Sequence, residues 1–341
     1  MIHRRKLLAA LGTGALANLL PAALPAFAQP AKPPEKIWRV GILAPRTRPA
    51  SLDTDNYGGI LRGLREFGYI EGKNLMIEWR FADNDIARLP ALAAELVQWN
   101  PDVLISGGES AALAMQRATS TAPVVIAGVS DPVGSGLVSS LARPGGNITG
   151  VSSISGELGP KRLQMLLEMT SGMTPKVSRV AVLANPTAPG NLKTLENVQA
   201  AAAALKVKIV PAEARTAQEI DAAFALMVQQ RAGAVFVILN PLFQQQRSQI
   251  AQLAAKHRLP SMTAARAYVE AGCLMSYGSN LTEEFRRTGF YVDKIFKGAQ
   301  PSDLPVEQPT RFELFINGKT AKALGLKIPQ SLLITAERVI E

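Results

Sequence analysis

The sequence predicts an α/β protein built as two similar lobes, each a parallel sheet with helices on both faces, joined by a hinge of three crossovers. Three observations predict this. From Trp38 onward, short apolar β-rich runs alternate with amphipathic helical segments, the pattern of parallel strands with crossover helices. The second half of the chain then repeats the order of the first, and turn-rich passages cut the alternation at three places.

Taken in order, Arg39–Leu43 is a buried strand, and Tyr57, Ile60, Leu61, Leu64 and Phe67 fall on one helical face that Gly68 ends. Leu75–Trp79 is the second strand. Leu89, Leu92, Ala93, Leu96 and Val97 line the next helix, which stops at Asn100 and Pro101. Val103–Ser106 and Pro123–Val129 are further strands, with a helix over Ala111–Ala118 between them. Then Arg179–Leu183 echoes Arg39–Leu43 at an offset of 140 positions. A helix carrying Leu192, Leu195, Val198 and Leu205 follows, then strand Val207–Val210, a helix with Ile220, Ala223, Phe224, Met227 and Val228, and strand Ala234–Leu239. Arg258–Met262 matches the approach to Pro123–Val125. The breaks fall at Arg143–Asn147, at Ser276–Asn280 and along the proline-spaced Pro301–Pro309, with a helix bearing Phe285, Val292 and Phe296 between the last two. They divide the chain into residues 38–150 plus 279–308 in lobe 1, and 151–278 plus 309–341 in lobe 2.

The N-terminus reads as an export signal over residues 1–28. Arg4, Arg5 and Lys6 precede an apolar stretch from Leu7 to Leu24, and Ala26–Ala28 has the small-x-small pattern of a cleavage site. The paired arginines leave the Sec and twin-arginine routes both open. Gly12, Gly14, Asn18, Pro21 and Pro25 interrupt the apolar run and argue against a retained anchor. No cysteine stands at the end of the signal, so no lipid anchor is expected there. The mature chain would start near Gln29, with a Pro/Lys-rich leader over 29–37, and be a soluble periplasmic protein. The signal carries three cations and no acid, so its loss takes the net charge from +10 to +7.

That charge is scattered and aromatics are 6% of residues, which is a poor basis for a nucleic-acid groove. Cys273 is the single cysteine, set among Ala271, Gly272 and Leu274 as a small apolar residue, so no intramolecular disulfide is available. Of two histidines, His3 leaves with the signal and His257 sits in a helix tail. One His and one Cys cannot build a zinc site, and no Gly-x-Ser-x-Gly elbow occurs. Gly68–Asn74 is one residue short of a P-loop and lacks its Ser/Thr. Gly134 and Gly136 lack the third glycine of a dinucleotide fingerprint. The expectation is a binder without metal or cofactor, and not an enzyme.

The run Asp131–Gly150 is similar to the signature of a broad bacterial family of ABC transporter substrate-binding proteins, which includes tryptophan- and tyrosine-binding members. Gly63–Asn74, Ala271–Gly278, Tyr291–Gly298 and Asp303–Thr310 resemble the same family, and the likeness spans Arg39 to Glu341. It implies the type I periplasmic-binding-protein fold, no catalytic activity, and a monomer that passes a small polar solute, an amino acid among the candidates, to an ABC permease in the inner membrane. A sensor docking on a signalling receptor is the alternative. The loops Ala44–Ser51 and Asn185–Asn191 depart from those of the aromatic-amino-acid binders, as does Cys273 where the family has glycine.

In an open α/β sheet the ligand crevice lies beyond the carboxyl ends of the strands. Those ends place Thr47, Ser106, Ser110, Ser130, Asp131, Asn185, Thr187, Asn240 and Thr263 as candidate ligand-binding residues. Asp131, an acid directly at a strand end and held by Pro132, has two readings. Its carboxylate either accepts hydrogen bonds from the ligand or caps the turn through the amides of Val133 and Gly134.

Overall fold

The computed structural model describes residues 36–53 and 55–341; the expected export signal and the leader up to residue 35 lie outside them. The first part of the chain runs β1 (Trp38–Ala44), α1 (Gly58–Glu66), β2 (Leu75–Phe81), α2 (Leu89–Gln98), β3 (Val103–Gly107), α3 (Glu109–Ala118), β4 (Val124–Val129) and β5 (Ile148–Ser152). The second part runs α4 (Gly159–Met169), β6 (Arg179–Ala184), α5 (Pro189–Ala204), β7 (Lys208–Glu213), α6 (Ala217–Gln229), β8 (Ala234–Val237), α7 (Pro241–Gln245), α8 (Arg247–Lys256), β9 (Ser261–Thr263), α9 (Arg266–Glu270) and β10 (Met275–Gly278). Helix α10 (Leu281–Phe296) then returns to the first sheet, and β11 (Glu313–Asn317), α11 (Gly318–Ala323), α12 (Gln330–Thr335) and β12 (Arg338–Ile340) complete the second.

The repeat seen in the sequence is a repeat of topology. The first sheet has the order β2-β1-β3-β4-β5, and the second contains the matching order β7-β6-β8-β9-β10 before adding β11 and β12. The registers match as well: Trp38 pairs with Leu75 through to Ala44 with Phe81, and Arg179 pairs with Lys208 through to Ala184 with Glu213. The first sheet is parallel throughout, whereas in the second β10 and β11 are antiparallel. The wiring requires this. The chain leaves β10 at its carboxyl end, visits the other lobe, and re-enters at that same end, so β11 must run backwards.

Alternation along each strand feeds two cores per sheet. In β1, Val40, Ile42 and Ala44 join Ile60 and Leu64 of α1 on one face, while Leu43 joins Leu89 and Leu96 of α2 on the other. In β6, Val180 and Val182 meet α4 and α5, and Ala181 and Leu183 meet α6 and α8. Cys273 is fully buried in the last of these clusters. Its burial pushes the thiol up to about 12, as expected for an inert packing residue.

Two helices differ from their sequence pattern. On α1 the buried face is not Leu61 and Phe67 but Gly58, Gly59, Ile60, Gly63 and Leu64. The glycines allow α10 to lie backbone-to-backbone on α1, since a Cβ on Gly59 would come 2.5 Å from the Thr282 oxygen and one on Gly289 2.8 Å from the Gly63 Cα. On α5 the buried residues are Asn191, Thr194, Val198 and Ala202, and Leu192 and Leu205 face solvent. Polar residues win because the first turn of α5 faces polar backbone. Asn191 accepts from the Asn185 amide at 3.1 Å and donates to the Leu239 carbonyl at 3.0 Å.

The chain passes between the sheets after β5, after β10 and through residues 307–312. These strands are tied together. Glu307 exchanges backbone bonds with Gly150 (3.0 Å) and Ser152 (2.8 Å), and its carboxylate receives Arg287 at 2.7 and 2.8 Å. Arg162 of α4, 1% exposed, donates to the Ser155 carbonyl at 2.8 Å and to the Tyr277 carbonyl, bracing the first crossing against the second. Burial lowers its pKa to about 9.

Candidate ligand-binding cleft

A cleft separates the carboxyl ends of the two sheets, and both lobes line it. The first contributes Arg46, Tyr57, Glu109, Ser110, Ser130 and, from α10, Phe285; the second contributes Gly190, Asn191, Asn240 and Gln244. Among the described residues, hydrogen bonds bridge it from the Gly190 amide to Glu109 at 2.8 Å, from Asn84 to Gln245 at 3.0 Å, and from Gln245 to Thr47.

The nine residues expected at the strand ends divide by position. Ser110, Ser130 and Asn240 line the cleft. Ser110 and Asn240 also border a side opening with Asn185 and Thr187, where the Asn185 side-chain Oδ1 accepts from the Thr187 amide (3.0 Å) and hydroxyl (2.7 Å). Thr47 stands at the bridge to Gln245. The other three do not line the cleft. Ser106 lies inside β3, one residue short of its end, where the sheet is covered on both faces and every position of the strand is buried. Thr263 is likewise fully buried, its hydroxyl donating to the Met275 carbonyl at 3.2 Å. Asp131 is exposed, and its Oδ1 accepts from the Gly134 amide at 2.7 Å, the turn-cap arrangement. Ser130 lies 3.4 Å from Ser153 across the first crossing.

Several cleft residues carry no sign in the sequence pattern. Tyr57 and Phe285 read as helix-face apolar residues, yet they meet edge-to-face at 4.9 Å and form one wall. Tyr57 is 3% exposed and donates to the Gly107 carbonyl at 3.3 Å, and its burial raises the phenol pKa strongly, with Arg46 opposing. A Cβ on Gly107 would lie 2.6 Å from the Tyr57 ring, so glycine is needed there. Arg46 is only one residue before the expected Thr47. Its guanidinium pairs with Asp55 at 2.7 Å and lies 5.5 Å from the Tyr57 ring centre. Glu109, the first residue of α3, is half-buried. Its pKa is raised by burial, lowered in part by the Gly190 N–H and raised again by Asp131.

No three of the described His, Cys, Asp and Glu side chains gather as a metal site, and no described helix is long and apolar enough to cross a membrane. A repeated pair of α/β lobes with a polar cleft at the facing strand ends is the architecture of a solute-binding protein of the type I periplasmic class. Residues 39–340 match the family of ABC transporter substrate binding proteins, and the chain belongs to that family, whose members are binders and not enzymes. It is 24% identical over 269 residues to the "Tyrosine-binding protein" of Clostridioides difficile strain R20291, covering 79% of this chain and 76% of that one. Among solved structures, it resembles a conserved domain protein from Vibrio cholerae (TM-score 0.81, 30% identity, 89% of this chain and 99% of that one). It also resembles the ABC domain in complex with L-Trp from Streptococcus pneumonia (TM-score 0.78, 27% identity, 89% and 99%).

Proposed function

We propose that this chain is the exported, monomeric receptor of an ABC uptake system, binding an amino acid in the interlobe cleft and presenting it to an inner-membrane permease. The observation that carries the reading is the cleft itself. Each lobe brings polar side chains to it from the loop ends of a repeated sheet, and hydrogen bonds cross it at Glu109–Gly190 and Thr47–Gln245. Separate cores in each lobe and three thin connections suit a hinge that closes on a solute. The tyrosine-binding relative and the L-Trp complex support an amino-acid ligand, and the N-terminal signal supports export to the periplasm.

The test has two parts. Calorimetric titration of residues 29–341 with the proteinogenic L-amino acids should give saturable binding of at least one. Uptake of that amino acid should then fall in cells lacking the gene. Binding without any loss of uptake would reject the transport role, and absence of binding would reject the amino-acid ligand.

A further inference from the structure

The cleft contains a buried cation whose hydrogen-bonding capacity is not used up. Arg46 is 4% exposed and lines the cleft. Its Nη2 donates to Asp55 at 2.7 Å, but its Nε is buried with no partner. A guanidinium N–H left without an acceptor away from water is costly, so the group calls for an acceptor. A second feature points to the same space. Helix α3, ten residues long, opens on the cleft at Gly108, which as N-cap has no side chain to bond the first-turn amides. Those amides and the helix dipole favour negative charge. The facing helix α5 is already supplied, because its Gly190 amide donates to Glu109.

We propose that Arg46 Nε and the first turn of α3 form an anion subsite that receives the carboxylate of the ligand, so that the protein takes a carboxylic acid in preference to a neutral polyol. The proposal rests on the cleft being the binding site. Asp55 occupies one of several guanidinium donors and leaves Nε for the ligand. Glu109, at the start of the same helix, is placed to face an ammonium group, which gives the cleft opposite charges for the two ends of a zwitterion. The charged residue that sets this selectivity comes from the Ala44–Ser51 loop.

The experiment titrates residues 29–341 with the proteinogenic L-amino acids, with the amide and the decarboxylated amine of each that binds, and with myo-inositol and ribose. An acid is expected to bind, and its amide and amine to bind at least about tenfold more weakly. Arg46→Lys, which keeps the charge but loses the planar fork, should weaken the acid by roughly ten- to a hundredfold. Because Arg46→Gln alone leaves Asp55 unpaired, Arg46→Gln/Asp55→Asn is made beside it and its melting curve compared with wild type. A double variant that melts like wild type and binds the acid about as strongly overturns the subsite. An amine that binds as tightly as its acid, or a polyol as the sole binder, overturns the subsite and leaves the cleft reading standing. If nothing in the panel binds, the subsite and the amino-acid ligand are both rejected.

Discussion

Gly63→Ala is the sharpest probe of how the lobes are wired, because one methyl group is placed between two backbones. Gly63 of α1 faces Gly289 of α10, and an alanine Cβ at 63 would come 2.9 Å from the Arg286 carbonyl carbon and closer still to its oxygen. Neither neighbour is a side chain that can turn away, so the helices must separate by roughly an ångström to reach ordinary contact. A gap of that size forfeits a quarter to a half of the dispersion well at each contact along the seam. Ile60, Leu64, Phe285 and Val292 lie in the core that this seam closes. Overpacking of this kind costs about 1–3 kcal/mol, and backbone contact puts it at the upper end. Alanine returns up to about 1 kcal/mol through its better helix propensity. The net loss should be about 2 kcal/mol, a fall in melting temperature of about 3 °C for a protein of this size. Phe285 sits on the moved helix and lines the cleft, so ligand affinity should fall as well. Gly318→Ala, whose added methyl meets nothing closer than 3.4 Å, is the matched control. Thermal denaturation by circular dichroism reads the effect. If Gly63→Ala melts at or above the wild-type temperature, the close α1–α10 seam is wrong.

Three further perturbations test the hinge, the buried acid and the turn. Gln245→Ala removes both the Asn84 and the Thr47 bonds across the cleft. At about 0.5–1.5 kcal/mol each, their loss should shift the closed-to-open ratio roughly 5- to 150-fold and enlarge the ligand-free radius of gyration in small-angle scattering; an unchanged curve would refute the bridging role. Glu284 is 4% exposed beside Ser279 at the second crossing, and burial holds its carboxyl at about 8 against an ordinary 4.5. The protonated acid therefore contributes stability that is complete below pH 4.5 and is lost as pH rises through 8. Glu284→Gln should remove that decline and melt higher than wild type above pH 8, and parallel pH profiles for the two proteins would contradict the buried position. Asp131→Ala removes the cap on the Gly134 amide and should cost about 1 kcal/mol of stability with ligand affinity unchanged; a fully stable variant with weakened binding would return Asp131 to the cleft.

Much of the architecture was readable from the chain alone. Parallel strands covered on both faces must be apolar at nearly every position, so Arg39–Leu43 and Arg179–Leu183 declare themselves, and their common spacing implies a common sheet order. Both sheets have that order, β2-β1-β3-β4 and β7-β6-β8-β9. Ser110, Ser130 and Asn240 were legible in the cleft because the topology of such sheets puts strand ends there. Which of the strand-end side chains turn inward was not legible. Ser106 and Ser110 are four residues apart, yet the end of β3 falls between them, leaving Ser106 inside the strand and Ser110 in the first turn of α3. The aromatic wall needed the tertiary structure altogether. Tyr57 and Phe285 are separated by most of the chain, and they meet only because the glycines of α1 let α10 settle against it after the chain has crossed between lobes twice. Periodicity records which residues avoid water. It does not record which avoided surface a distant helix will cover, because that depends on backbone approach distances set by residues with no side chain.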